Sequence, residues 1–78
     1  MQVNIITPEE KLFSGESSSV VLPGTDGSLG ILDNHAPLIT SLKKGAIKLK
    51  TQKGEESFDI SSGVVEVLNN NVIILVEK

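Results

Sequence analysis

The sequence predicts an all-β domain, either a small sandwich or a barrel, formed by a single unit of 78 residues. Short runs rich in Val and Ile recur about every eight to twelve residues, a spacing typical of such folds. Clusters of Gly, Pro, Asn and Ser separate these runs and supply turns. Residues 46–50 alternate apolar and charged side chains, the period of two that indicates a half-buried strand.

The amino-terminal part of the chain contains the first predicted strands. Residues 2–6 and 18–22 are rich in β-branched side chains, and we expect residues 7–15 to separate them. The Pro-Gly pair at 23–24 ends the second run, because glycine accepts the positive φ of a type II turn. The Asp-Gly pair at 26–27 is then expected to start another strand.

Residues 37–44 are the segment in which helix and strand compete. Proline at 37 is suited to begin a helix, and Gly45 is suited to cap one. Ile39 and Thr40 are β-branched, however, and eight residues are too few for a helix that is stable alone. We therefore predict a mostly extended segment.

A first hairpin is predicted after this segment. Residues 46–50 place Ile47 and Leu49 inward, and a turn at 52–54 joins them to residues 55–60. The two strands carry opposite charges, so cross-strand Lys and Glu pairs are expected to help the register.

A second hairpin is predicted at the carboxyl-terminal end. Residues 64–68 and 72–77 flank three asparagines at 69–71, and asparagine tolerates the left-handed conformation that a tight turn requires. Both faces of residues 73–76 are apolar. This strand is therefore predicted to be covered on two sides, by a closed sandwich or by a partner.

Composition excludes several classes of function. The chain has no cysteine, so neither disulfides nor thiolate catalysis nor a cysteine-ligated zinc site contributes. A net charge of -3, with two phenylalanines as the only aromatic residues, argues against nucleic acid and against direct binding to anionic lipid. The longest apolar run is five residues, where about 20 span a bilayer. We expect a soluble chain that reaches a membrane only through protein.

His35 is the first residue to consider for chemistry, because its pKa ordinarily lies near neutrality. A nucleophilic triad or a metal site needs partner residues, and the chain offers one histidine among scattered carboxylates. The expected role is a hydrogen bond to the backbone of its own loop, and contact with a partner protein is the alternative.

The paired acids and the glycines carry no predicted site. The glutamates at 9–10 and 55–56 are adjacent, and adjacent residues of a strand face opposite ways, so neither pair forms a shared-proton dyad. Gly24, Gly27 and Gly30 lack the lysine and the helix of a phosphate-binding loop. We interpret them as turn and bulge residues.

Four segments of the chain form a recognisable set: ITPEEKLFSGE at 6–16, PGTDG at 23–27, DGSLGILDNHAPLITSLKKG at 26–45 and SGVVEVLNNNVIILVE at 62–77. In their order and spacing they resemble the epsilon subunit of the F-type rotary ATP synthase. The resemblance covers essentially the whole chain. It implies a flattened β-sandwich of about ten short, mostly antiparallel strands over residues 1–78, with no catalytic residue, metal, cofactor or small-molecule substrate.

The resemblance also implies a place in the central stalk of the synthase. The domain would couple the gamma subunit to the membrane c-ring during proton-driven ATP synthesis, on the cytoplasmic face of a bacterial inner membrane, with plastid or mitochondrial origin left open. The residues implied at the c-ring are Asp26, Gly27, Ser28, Leu29, Asp33 and Asn34, and those implied at gamma are His35, Ala36, Pro37, Leu38 and Thr40.

The sequence departs from the family pattern at three places. Ser28 stands where many members carry an acid that meets the c-ring, so Asp26 or Asp33 is the alternative source of that charge. Asp-Asn at 33–34 replaces a common Pro-Gly, and Ser62 replaces the first glycine of a Gly-Gly pair. Nothing here corresponds to the family's carboxyl-terminal helical hairpin, so we expect no inhibition of ATP hydrolysis by such an arm.

Two other functions fit a small β-domain. A carrier domain of the lipoyl or biotinyl type needs a lysine at a hairpin tip, and Lys53 beside Gly54 is the candidate, although the flanking methionine or aspartate of those domains is missing. A small enzyme would depend on His35 and a nearby acid. Modification of Lys53, or loss of turnover in His35→Ala, would distinguish these alternatives.

Overall fold

The computed structural model of the protein describes residues 1–78 and contains nine strands and no helix. The prediction of an all-β domain with about ten short strands is confirmed. The strands, in chain order, are β1 (Gln2–Ile6), β2 (Lys11–Glu16), β3 (Ser19–Gly24), β4 (Gly27–Leu32), β5 (Leu38–Leu42), β6 (Gly45–Thr51), β7 (Gly54–Ile60), β8 (Ser62–Leu68) and β9 (Asn71–Glu77).

One continuous sheet curls so that its two halves face each other. The first half has the order β2-β1-β9-β8-β5, and the second has the order β4-β3-β6-β7. The halves join where Gly24 of β3 lies opposite Leu42 of β5. Only β1 and β9 are parallel, and every other pair is antiparallel. The domain measures 25 × 24 × 19 Å.

The core fills the space between the two halves. Fifteen buried apolar residues form it, and they come from alternate positions of the strands, as the two-residue period of a strand requires. Ile47 and Leu49 of β6 lie in it, as predicted. On β9 the buried positions are Val72, Ile74 and Val76.

Two tight features fix the β8–β9 hairpin. Asn69 and Asn70 have φ of 51° and 62°, so the predicted left-handed asparagine turn is confirmed. At Gly63 a Cβ atom would lie 2.7 Å from the carbonyl oxygen of Leu75. Only glycine therefore allows the two strands to approach this closely at their open end.

The sequence predicts a connection over residues 7–15, and this prediction is wrong from Lys11 onward, where strand β2 begins. Lys11–Glu16 in fact pairs with β1 along the edge of the sheet. The segment KLFSGE has exposed or half-exposed positions throughout, so it lacks the buried alternation that marks an inner strand. Thr7 organises the turn before it, since its hydroxyl accepts hydrogen bonds from the backbone of Glu9 and Glu10 at 3.2 and 3.0 Å.

The turn predicted at Pro23 and Gly24 is wrong, because both residues belong to β3 and the chain reverses at residues 25–26.

Residues 38–42 are extended, as predicted. The expectation that the sandwich itself covers both faces of residues 73–76 is wrong, because Ile73 and Leu75 are 39% and 53% exposed. Lys50 does lie opposite Glu55 across the first hairpin. The two side chains form no ion pair, however, since both ion pairs of the structure involve the amino group of Met1.

Candidate interaction surfaces

The outer side of β5, β8 and β9 is an exposed apolar surface, which we call the β8 face. Its side chains are between 39% and 70% exposed although all are large and apolar. Scattered apolar residues are normal on a protein surface, whereas a contiguous patch marks a site of interaction. The members of the β8 face are Ile39, Val64, Leu68, Ile73 and Leu75.

An open groove of about 660 Å³ runs along one end of the β8 face. Val64 and Leu75 of the β8 face line it, together with Thr7 and Pro8 of the β1–β2 connection. Its lining holds no histidine and one carboxylate, Glu77. The groove is therefore suited to apolar contact and not to acid–base chemistry.

The segment predicted to contact gamma leads into the β8 face. Ala36 and Pro37 are exposed in the loop before β5, whereas Leu38 packs against the core. Thr40 lies opposite buried Val65, so it also faces inward. Ile39, absent from the predicted set, points outward and is 70% exposed. Strand alternation after Pro37 was the signal that would have identified it.

His35 is held by its own loop, as expected. Its Nδ1 lies 2.7 Å from the carbonyl oxygen of Ala36, so this nitrogen donates the hydrogen bond. Its backbone N–H donates to the carbonyl of Leu32 at 3.2 Å, which closes the turn after β4. No three His, Cys, Asp or Glu side chains are grouped to hold a metal ion.

The residues predicted to contact the c-ring lie along β4, an edge strand that pairs only with β3. Asp26, Gly27 and Ser28 are at its start, and Asp33 and Asn34 follow its end. Five residue steps separate the ends of β4, which is about 17 Å at about 3.4 Å per residue. The set therefore follows an edge of the sheet instead of forming one compact end.

A shallow cavity of about 200 Å³ joins parts of the two predicted sets. The turn at Asp26 and Ser28 lines one side of it, together with Leu29. Leu38 and Thr40 line the other side. The structure thus brings the first half of the c-ring set next to the inward members of the gamma set.

Asp33 already has a partner within the chain. Its Oδ1 lies 2.6 Å from the amino group of Met1, which also donates to the carbonyl of Ser17 at 3.1 Å. This hydrogen bond to Asp33, opposed by partial desolvation and aided by the charges of Asp33 and Glu16, raises the pKa of the Met1 amine. Asp26 forms no ion pair.

Asn34 explains one departure from the family pattern noted in the sequence. Its φ is 62°, a conformation that glycine adopts freely and asparagine tolerates. Its N–H donates to Oδ1 of Asn70 at 2.8 Å, which ties this loop to the β8–β9 turn. Asparagine at 34 thus adopts a backbone conformation that glycine also favours.

Comparison with known proteins agrees with this architecture. Residues 1–78 match the family described as ATP synthase, Delta/Epsilon chain, beta-sandwich domain. The chain belongs to this family. The membership decides against the carrier-domain alternative, although Lys53 does lie in the turn between β6 and β7.

Two curated members of the family are similar in sequence to this delta/epsilon-type domain. The ATP synthase epsilon chain of Chlorobium limicola is 44% identical over 77 residues, which are 97% of this chain and 88% of that protein. The epsilon chain of Bordetella avium (strain 197N) is 41% identical over 76 residues, which are 96% of this chain and 54% of that protein. The domain thus spans most of one relative and about half of the other.

Solved structures of ATP synthases contain the same fold. A chain from the central stalk and c-ring structure of the Tetrahymena thermophila mitochondrial enzyme superposes with a TM-score of 0.84 at 20% identity, over 99% of this domain and 63% of that chain. A chain from the Euglena gracilis mitochondrial enzyme, solved with OSCP, F1 and c-ring, gives 0.89 at 19% identity, over 97% and 49%. At these identities the likeness establishes the fold of the delta/epsilon-type domain. The domain contains no helix, and therefore no helical membrane span.

Proposed function

We propose that this delta/epsilon-type domain is a non-catalytic part of the central stalk of an F-type ATP synthase, where it couples the gamma subunit to the membrane c-ring. The observation that carries the proposal is the match of the whole chain to the family. The unpartnered β8 face supports it, because a rotor component needs a protein contact that holds under torque.

A non-catalytic role is supported by the chemistry of the side chains. His35, the one histidine, is hydrogen-bonded to Ala36 in an exposed loop. No other residue forms with it the chain of nucleophile, base and orienting acid that covalent catalysis uses. The groove at the end of the β8 face is lined by apolar and hydroxyl side chains, with Glu77 as its single carboxylate. Function therefore depends on surfaces.

The proposed mechanism requires a stiff domain, because torque passes through a joint only if the domain deforms less than its contacts slip. Forty-eight backbone hydrogen bonds join a sheet of nine strands, and 40 of them lie within the strands. The apolar interior is close-packed and yields little to strain. This construction is suited to a spacer between two rotating partners.

The two surfaces define how the domain is oriented between gamma and the c-ring. The β8 face and the adjoining loop with Ala36 and Pro37 bind gamma, and the β4 edge from Asp26 to Asn34 binds the polar loops of the c-ring. The domain is then peripheral on the cytoplasmic face of a bacterial inner membrane, attached through the complex. Asp26 is the best candidate for a c-ring ion pair, since Asp33 is engaged by Met1.

Reconstitution tests this function. Membrane vesicles that carry the synthase without its epsilon subunit are expected to regain ATP-driven proton pumping when the chain is added, with more protons pumped per ATP hydrolysed. His35→Ala is expected to restore pumping once enough of the variant is added to saturate gamma, because the imidazole has at most a contact role. Failure of the wild-type chain to bind gamma, or loss of pumping in a His35→Ala variant that is fully bound to gamma, would contradict the proposal.

The c-ring contact has its own test. Asp26→Lys is expected to weaken binding of the gamma-bound domain to purified c-ring at low salt, and the effect is expected to fade at high salt because exposed charges are screened. Lys53→Glu, a charge reversal in the β6–β7 turn at the opposite end of the sheet from Asp26, serves as the control for this variant. Unchanged c-ring affinity with both Asp26 and Asp33 reversed would exclude an electrostatic contact at this edge.

A further inference from the structure

Glu66 is an isolated carboxylate at the centre of the β8 face. Across the strands it lies directly opposite Ile39 of β5 and Ile73 of β9. Along β8 its neighbours on the same face are Val64 and Leu68, two positions away on either side. Four exposed apolar side chains therefore surround one exposed acid.

No cation of the chain neutralises this acid. Strands β5, β8 and β9 contain no lysine or arginine. Both ion pairs of the structure involve the Met1 amine, which pairs with Glu16 and Asp33. The lysines are concentrated elsewhere, with five of the seven cationic residues between positions 43 and 53.

We propose that Glu66 forms an ion pair with a lysine or arginine of the protein that covers the β8 face, and that this pair fixes the orientation of the domain on that partner. The proposal rests on the function proposed above and names the chemistry of the partner surface. That surface is apolar around one cationic side chain.

The physical reason is desolvation. A partner that covers Ile39, Ile73 and their neighbours removes water from the carboxylate at their centre. A charge taken out of water without a counter-charge or hydrogen-bond donors is strongly unfavourable. Apolar contacts alone allow many relative orientations, whereas a central charge is satisfied in only one.

A second copy of this chain is the less favourable occupant. In a twofold dimer the same patch meets itself, so an axis through the centre of the β8 face would bring two Glu66 carboxylates together. Like charges in a covered interface oppose association. A partner of opposite charge is therefore the better match.

The experiment measures affinity of the full chain for the isolated gamma subunit by calorimetry. Glu66→Lys is expected to weaken binding by about 100-fold or more, and Glu66→Gln by about tenfold, because a truncated member of a covered charge pair leaves the other member unpaired. Glu66→Gln is also expected to reduce the dependence of affinity on salt. Glu55→Lys is the matched control, since Glu55 is equally an exposed strand residue but lies on the other half of the sheet, and it is expected to change affinity less than twofold.

The outcomes separate the two proposals. A wild-type chain that does not bind gamma overturns the proposed function and this inference together. Binding that is the same for wild type and Glu66→Lys overturns the ion pair alone. A stable dimer of the isolated chain in sedimentation equilibrium that persists in Glu66→Lys would assign the β8 face to a second copy and also overturn the ion pair. If Glu66 contacts a cationic residue of gamma, swapping the two charges restores the ion pair. Glu66→Lys combined with a Lys→Glu or Arg→Glu change at that gamma residue is therefore expected to regain most of the lost affinity.

Discussion

The two halves of the sheet have the same interior but different exteriors. Strand β9 buries Ile74 and exposes Ile73 and Leu75, whereas strand β6 buries Ile47 and exposes Lys48 and charged neighbours. Both strands meet the requirement of folding, which is an apolar inner face. The difference lies wholly in the outward positions.

This difference shows that the apolar side chains of the β8 face are not needed to build the domain. Strand β6 folds with Lys48 and Lys50 at outward positions, so a β-strand in this protein needs only its inner positions to be apolar. Large apolar residues kept in water carry a risk of aggregation. Five of the seven exposed large apolar side chains lie on β5, β8 and β9, and this concentration indicates that a partner covers that half.

Adjacent residues on β9 provide the sharpest test of this comparison. Ile74→Ala is expected to lower the free energy of unfolding by about 2–5 kcal/mol, because Ile74 is fully buried and its removal leaves a cavity. Leu75→Ala is expected to lower it by less than about 1 kcal/mol, since the side chain is already 53% exposed. Urea unfolding measures both. Equal losses would contradict the division into inner and outer faces.

Gly63 and Gly30 form a second matched pair. Gly63→Ala is expected to cost about 1–3 kcal/mol, because the new Cβ would meet the Leu75 carbonyl oxygen at 2.7 Å and force β8 and β9 apart. Gly30→Ala, on the edge strand β4, places its Cβ in open space and is expected to be neutral or slightly stabilising. Urea midpoints measure the two effects. A neutral Gly63→Ala would show that the hairpin relaxes easily.

Affinity for gamma provides a third test of the difference between the outer sides of the two halves. Leu75→Ala is expected to weaken affinity about tenfold, or about 1.4 kcal/mol, because it removes an apolar contact from the β8 face. Val21→Ala is the control: Val21 is 42% exposed on the outer side of the other half. Calorimetry measures the affinity of the two variants for gamma. A larger loss for Val21→Ala would move the gamma contact to the lysine-bearing half.

The ion pair between Asp33 and the Met1 amine is expected to have the smallest effect on stability. The pKa of the Met1 amine is raised above its ordinary value of 8.0, chiefly by the hydrogen bond to Asp33. Its stabilising contribution is therefore complete below pH 8.0 and is lost as pH rises through the higher pKa of the folded state. Urea midpoints are expected to fall slightly between pH 7 and 10 in the wild type and less in Asp33→Asn. Asp26→Asn, which breaks no ion pair, is expected to follow the wild type.

The sequence predicts the inner strands well because burial imposes a period of two. The alternation of β6, the hairpin of asparagines at 69–71 and the extended segment before Gly45 all follow from local rules that the structure confirms. Strand β2 is not predicted by these rules. It lies at an edge, and its residues owe their conformation to pairing with β1 instead of to burial.

The candidate surfaces were harder to predict, since they depend on how distant strands are placed. The sequence resemblance predicts Leu38 and Thr40 as contact residues, but the register of β5 turns them inward and exposes Ile39. The isolation of Glu66 is visible only when β5 and β9 lie on either side of β8. The pairing of Asp33 with the Met1 amine, 32 residues apart, has no sequence signal.

The central claim is that the β8 face is the surface that gamma covers, and methyl NMR tests it most directly. In a sample with labelled Ile, Leu and Val methyl groups, addition of unlabelled gamma is expected to shift the signals of Ile39, Ile73 and Leu75 most strongly. The signals of Val21 and Leu32, exposed on the other half of the sheet, are expected to change little. Strong shifts at Val21 and Leu32 with unchanged signals from the β8 face would contradict the account.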